Sequence, residues 1–158
     1  MRGKPATKRQ IINDPKTGSL QVAKFINYLM LGGKKITAQK IMYAAFDIVQ
    51  EKTKKPPLEI FTQAMKNAAP TLEVRSRRVG GANYQIPFPV RPERRVYLAA
   101  KWIIDAARGK KGRPMAEKLA QEFMDASSEQ GAAIKKKQDV HRMAEANKAF
   151  ANFAKYSR

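Results

Sequence analysis

The chain has no cysteine, so disulfides and thiolate metal sites are excluded and nothing argues for an oxidising compartment. Its only histidine, His141, rules out a multi-histidine metal set. With Glu145 one helical turn further on, His141 fits an ordinary i,i+4 pair. Ser127 and Ser128 have no motif to activate a nucleophile, and the acids are dispersed without a suggestive pairing, so neither an enzyme nor a cofactor is expected. No apolar run approaches the roughly 20 residues of a membrane span. The opening MRGKPATKRQIIND is basic but has no apolar signal core, and Pro5 and Asp14 make it a poor targeting helix. That leaves the cytosol, or an organelle that makes its own protein. Acid is also scarce: 13 Asp and Glu stand against 32 Lys and Arg in 158 residues, a formal charge of +19. A compact body tolerates that charge best when a polyanion neutralises it, and nucleic acid is the first candidate. A membrane surface fits less well, because the long helices lack a clean split between basic and apolar faces.

The most informative stretch is 72–96, LEVRSRRVGGANYQIPFPVRPERRV. Leu72 and Val74, then Tyr84, Ile86, Phe88 and Val90, recur at the two-residue period of a strand, and Gly80-Gly81-Ala82-Asn83 supplies a hairpin turn. Pro87 and Pro89 share a parity, so their missing N–H groups fall on one edge and no third strand can join there. The expectation is an arm of two strands over 72–90 that projects from the body. Arg75, Arg77 and Arg78 lie on it, Arg91, Arg94 and Arg95 stand at its root, and only Glu73 and Glu93 offset them. Guanidinium groups fork onto phosphate and stack on bases, so the arm suits entry into folded nucleic acid.

The remaining pattern is helical, and the 158 residues suit one domain plus tails. Residues 1–18 hold too little apolar content to pack and are expected to be a basic tail. The single helical domain then runs over 19–158. A first helix carries Val22, Phe25, Ile26 and Leu29 inward and stops at Gly32-Gly33. A second, over 36–52, buries Ile41, Ala45, Ile48 and Val49. A third opens at Pro57 with Leu58, Phe61, Met65 and Ala68 inside. Pro92 opens a fourth, with Val96, Ala99, Ile103 and Ala107 inward beside Trp102. The connector from Arg108 to Arg113, with four cations and two glycines, is expected to be mobile. Pro114 starts a fifth helix with Ala116, Leu119, Ala120 and Phe123 buried, ending at Gly131. Lys135, Lys136 and Lys137 lead into a sixth, where Val140, Met143, Ala144, Phe150 and Phe153 keep helical spacing. The fold class expected is mainly α: a six-helix bundle with one protruding two-stranded β-hairpin and basic terminal extensions. Gly32-Gly33-Lys34-Lys35 is not a nucleotide loop, since Tyr28 occupies the place of the earlier glycine, but its lysines suit a phosphate contact.

Three blocks carry a resemblance. FINYLMLGGKKITAQKI from Phe25, LEVRSRRVGGANYQIPFPVRPERRVYLAAKW from Leu72 and DVHRMAEANKAF from Asp139 occur in order, and through them the sequence resembles the bacterial-type small-subunit ribosomal protein seven family over nearly its whole length. The resemblance implies a primary binder of the 3′ major domain of small-subunit rRNA that nucleates assembly of the subunit head. It also implies a hairpin at the subunit interface near exit-site tRNA and mRNA, with ribosomal proteins nine and eleven as neighbours and no homo-oligomer. Carried onto this chain, the rRNA-binding candidates are Lys4, Lys8 and Arg9 of the tail and Gly33, Lys34 and Lys35 of the first turn. Arg91, Arg94 and Arg95, then Arg108, Lys110, Lys111 and Arg113, then Lys135, Lys136, Lys137, His141 and Arg142 complete them. The candidates near tRNA and mRNA are Arg75, Arg77, Arg78, Gly80, Gly81, Asn83 and Tyr84. The charge alone also permits a free-standing DNA-binding or chromosome-packing protein, although no helix-turn-helix or zipper pattern is present.

Overall fold

A computed structural model describes residues 3, 7, 10–79 and 81–154. Among them are six α-helices, α1 (Leu20–Leu29), α2 (Lys35–Thr53), α3 (Pro57–Ala68), α4 (Pro92–Gly109), α5 (Met115–Ser127) and α6 (Ala132–Ala146). One antiparallel hairpin, β1 (Leu72–Val79) with β2 (Ala82–Pro89), stands between α3 and α4, and a 3-10 turn spans Lys148–Ala154. This is the expected fold class. The chain divides into two compact units, Met1–Lys40 and Ile41–Arg158.

In the first unit, residues 14–18 close into a turn. Thr17 donates its backbone N–H and its hydroxyl to Asp14 Oδ2 at 3.0 and 2.9 Å, and Asp14 is buried. Helix α1 follows with Val22, Phe25, Ile26 and Leu29 buried as the period requires. Gly32 and Gly33 then take φ of +56° and +75°, a left-handed pair that side chains disfavour, before α2 begins at Lys35.

The second unit is built around three phenyl rings. Phe46, Phe61 and Phe123 lie 5.4–6.3 Å apart by centroid, with Phe61 and Phe123 perpendicular, the edge-to-face arrangement that the ring quadrupole favours. Around them Ala64, Ala68, Ala99, Ala107, Ala120 and Ala126 are fully buried, so α3, α4 and α5 approach closely on small side chains. The second helix turns differently from expectation. Met42 and Phe46 are buried beside Ala45 and Val49, while Ile41 and Ile48 are only half-buried. In the third helix, Leu58 is exposed and Ala64 takes the inner place.

Polar groups join the helix ends. The Asn67 amide donates to the carbonyls of Ala126 and Ser127, both at 3.0 Å, satisfying oxygens that the end of α5 leaves open. Lys137 Nζ donates to Asn67 O at 2.6 Å, doing the same for α3. Glu122, fully buried, accepts the Ala133 N–H at 3.0 Å and so caps α6 from another helix. Gly131, at φ +93°, precedes α6, and a Cβ there would lie 3.0 Å from Asp125 Cβ and 3.0 Å from Glu122 Oε1. Helix α6 therefore begins at Ala132, so Lys135, Lys136 and Lys137 lie within it rather than ahead of it. Met143, expected inside, is 42 % exposed, and Phe150 belongs to the 3-10 turn. The Phe153 side chain lies outside the described residues.

Candidate nucleic-acid interface

The register of the ribbon decides which arginines share a face. Arg75 pairs with Ile86, Arg77 with Tyr84 and Glu73 with Phe88, and these share one side because directly paired residues do. Leu72, Val74, Ser76 and Arg78 pair with Pro89, Pro87, Gln85 and Asn83 on the other. The two apolar rows seen in the sequence thus lie on opposite faces. Leu72 and Val74 sit opposite the prolines, which take positions whose N–H would point away from β1. Asn83, expected in the turn, already lies in β2, and Gly81 just ahead of that strand takes φ +90°.

The ribbon projects only at its far end, because its root is seated on the body. Ile86 is fully buried and Pro87 is buried, and the hairpin lies against α6 and the 3-10 turn. The Tyr84 ring packs on Phe150 at 4.9 Å between centroids. Three bonds fix the entry: Val90 N–H donates to Thr71 O at 3.0 Å, Arg95 Nε to Pro70 O at 3.0 Å, and Thr71 N–H to His141 Nε2 at 3.1 Å. The last bond needs His141 Nε2 unprotonated. Burial, and then the nearby Lys137 charge, hold the His141 pKa below its ordinary 6.5, which favours that state. His141 engages Thr71, not Glu145.

The cations divide into two groups. Some are engaged inwardly. Lys110 Nζ lies 2.7 Å from Glu122 Oε2, without hydrogen-bond alignment, and 3.5 Å from Asp125 Oδ2. The connector expected to be mobile is thus anchored at its centre. Lys137 is engaged with α3, and Arg95 with the ribbon root. Others face outward. Arg78, Arg91, Lys111, Arg113, Lys135 and Lys136 are exposed, with Gly81 and Asn83 at the tip. Arg142 is 79 % exposed, and Asp139 is its ion partner at 3.8 Å. Arg77 and Tyr84 are half-buried and Arg108 is exposed. In the first unit, Lys34 and Lys35 are exposed beside Gly33 where α2 begins, and the first turn of that helix has no acid. Two ammonium groups at the positive end of a helix dipole repel it, and an anion there would relieve both. Lys4, Lys8, Arg9 and Gly80 lie outside the described residues.

Arg75 and Arg94 form a third arrangement that charge counting misses. Both approach the carboxylate of Glu73, which is 8 % exposed: Arg75 Nε donates to Oε1 at 2.6 Å and Nη2 reaches the same oxygen, while Arg94 Nε donates to Oε2 at 3.3 Å. The guanidinium carbons also lie over rings, Arg75 Cζ over Phe88 at 5.4 Å and Arg94 Cζ over Tyr97 at 5.0 Å to the centroid. The two-residue spacing of Glu73 and Arg75 was a signal in the sequence. The approach of Arg94, from the start of α4, was not.

A basic helical body that carries an arginine ribbon defines a class of protein suited to binding a polyanion. The family of ribosomal protein S7p/S5e matches residues 1–148, and the chain belongs to that family, a structural and non-enzymatic one. The small ribosomal subunit protein uS7 of Thermotoga maritima is 61 % identical over 153 residues, covering 97 % of this chain and 99 % of the relative. That of Carboxydothermus hydrogenoformans is 59 % identical over 149 residues, 94 % of this chain and 96 % of the relative. That of Saccharophagus degradans is 53 % identical over 152 residues, 96 % and 97 % respectively.

Proposed function

We propose that this chain is a structural constituent of the small ribosomal subunit, where it binds the 3′ major domain of the rRNA and nucleates assembly of the head. The observation that carries the reading is the ribbon itself. Its apolar root is seated on α6 while Arg75 and Arg94 remain 61 % and 49 % exposed and Arg78 stands outward. The exposed cations of α6, the connector and the α1–α2 turn meet rRNA phosphates, and the basic stretch ahead of the Asp14 turn adds Lys4, Lys8 and Arg9 to them. The far end of the ribbon reaches the subunit interface near exit-site tRNA and mRNA, with ribosomal proteins nine and eleven as neighbours. RNA is read by shape and phosphate position, because the deep A-form major groove excludes side chains. No bond is made or broken.

The test is a competition at near-physiological salt between labelled 3′ major domain rRNA and excess duplex DNA or unrelated RNA. The rRNA complex should survive both. With six to ten phosphates engaged, affinity should also fall about 10³- to 10⁵-fold between roughly 50 and 200 mM salt. Equal displacement by either competitor, or a flat salt response, would sink the reading.

A further inference from the structure

Glu73 is the only acid of the two strands, and it is buried among the cations whose charge an RNA ligand needs. Counting charge, it should weaken binding. The geometry points to the opposite role: we propose that Glu73 is a positioning residue that presents Arg75 and Arg94 as one preformed fork for an RNA phosphate. This inference rests on the proposed function and deepens it.

Each arginine is held at two places. The carboxylate takes the Nε side of both guanidiniums, at 2.6 Å for Arg75 and 3.3 Å for Arg94. Phe88 and Tyr97 lie against the guanidinium carbons, at 5.4 and 5.0 Å from centroid to Cζ. Neither contact uses up the outward edge. A guanidinium has five N–H donors, and most of those on each arginine remain directed away from Glu73. The carboxylate side chain is only 10 % exposed, so it lies behind the cations rather than between them and a ligand. One carboxylate thus links β1, which carries Glu73 and Arg75, to Arg94 in the first turn of α4. Long side chains that are fixed before binding lose less freedom on binding, so holding them strengthens the complex without a new contact.

The experiment uses the full chain and the labelled 3′ major domain rRNA. Glu73→Gln adds one unit of positive charge, yet it should bind about tenfold more weakly, the effect of freeing two side chains. In an Arg75→Ala/Arg94→Ala background the same change should alter affinity less than roughly twofold, because nothing is left to position. If Glu73→Gln binds as well as or better than the parent, charge counting is right and the inference falls, while selective binding by the parent would leave the proposed function standing. Equal loss in both backgrounds would also overturn it, assigning Glu73 to fold maintenance. A parent that binds without selectivity brings down both readings. Should Glu73→Gln fail to fold, nitrogen-15 spectra of the unmodified protein decide. The Arg75 and Arg94 Nε–H signals should exchange with water more slowly than that of exposed Arg78, and equal rates would overturn the inference.

Discussion

Replacing Glu122 by alanine should unfold the second unit more readily than any substitution of an exposed cation. The side chain is fully buried in α5, with Oε1 accepting the Ala133 N–H at 3.0 Å and Oε2 facing Lys110 Nζ at 2.7 Å. Truncation leaves the first turn of α6 with a buried donor and no acceptor, a loss of about 1–3 kcal/mol. Breaking a buried ion pair can cost about 3–5 kcal/mol, but the Lys110 side chain is 35 % exposed and can turn to water, so its share is at most about 1 kcal/mol. Adding the void, the loss should be about 3 kcal/mol for Glu122→Ala. Glu122→Gln keeps volume and acceptor and should cost about 1 kcal/mol. Urea unfolding followed by circular dichroism and by Trp102 fluorescence measures both, provided the two probes coincide. A loss for alanine below about 1 kcal/mol, or equal losses for the two variants, would refute the assignment of Glu122 as the cap of α6.

Gly131→Ala should cost about 1–3 kcal/mol in the same assay, since φ is +93° and the new Cβ meets Asp125 Cβ at 3.0 Å; no measurable change would mean that the backbone relaxes freely there. His141 has a lowered pKa, so its contribution is whole above 6.5 and is lost as pH falls below that value, where the unfolded chain takes the proton first. Urea midpoints from pH 7.5 downward should therefore decline more for the parent than for His141→Gln, and parallel curves would contradict the Thr71 bond. Phe150→Ala removes the ring that packs on Tyr84, and amide exchange on β2 should rise severalfold while α3 and α5 stay protected, a local loss of roughly 1 kcal/mol. Uniform acceleration would mean that the 3-10 turn supports the whole unit.

Local chemistry made much of this fold readable. Pro57 and Pro92 open α3 and α4 and Pro114 precedes α5, because a missing N–H harms nothing at a helix start. Alternation and two prolines of equal parity gave the ribbon. What stayed hidden depended on distant partners. In α2, Ala45 and Val49 fit two neighbouring stripes, and only the ring cluster selects Met42 and Phe46 over Ile41 and Ile48. The start of α6 is set by Glu122, nine residues before Gly131 in sequence, which nothing in the lysine run announces. The candidate site was legible as a surplus of charge but not as a division of labour. Lys110 and Lys137 read like any lysine in a basic run, yet an acid on α5 and the end of α3 claim them.

That division has a thermodynamic consequence. With 13 acids against 32 cations, internal pairing cannot neutralise the chain, so the exposed cations must repel one another until a polyanion arrives. Removing one of them, Arg78 or Lys136 for example, relieves repulsion in the free protein and removes a phosphate contact from the complex, so stability and affinity should move in opposite directions. At Glu122 the two should fall together, because there the charge organises the fold on which the outward cations depend. A series of single substitutions, each measured for urea midpoint and for rRNA affinity, separates the two classes by the sign of that correlation. A single common sign would mean that the cations act only through their number.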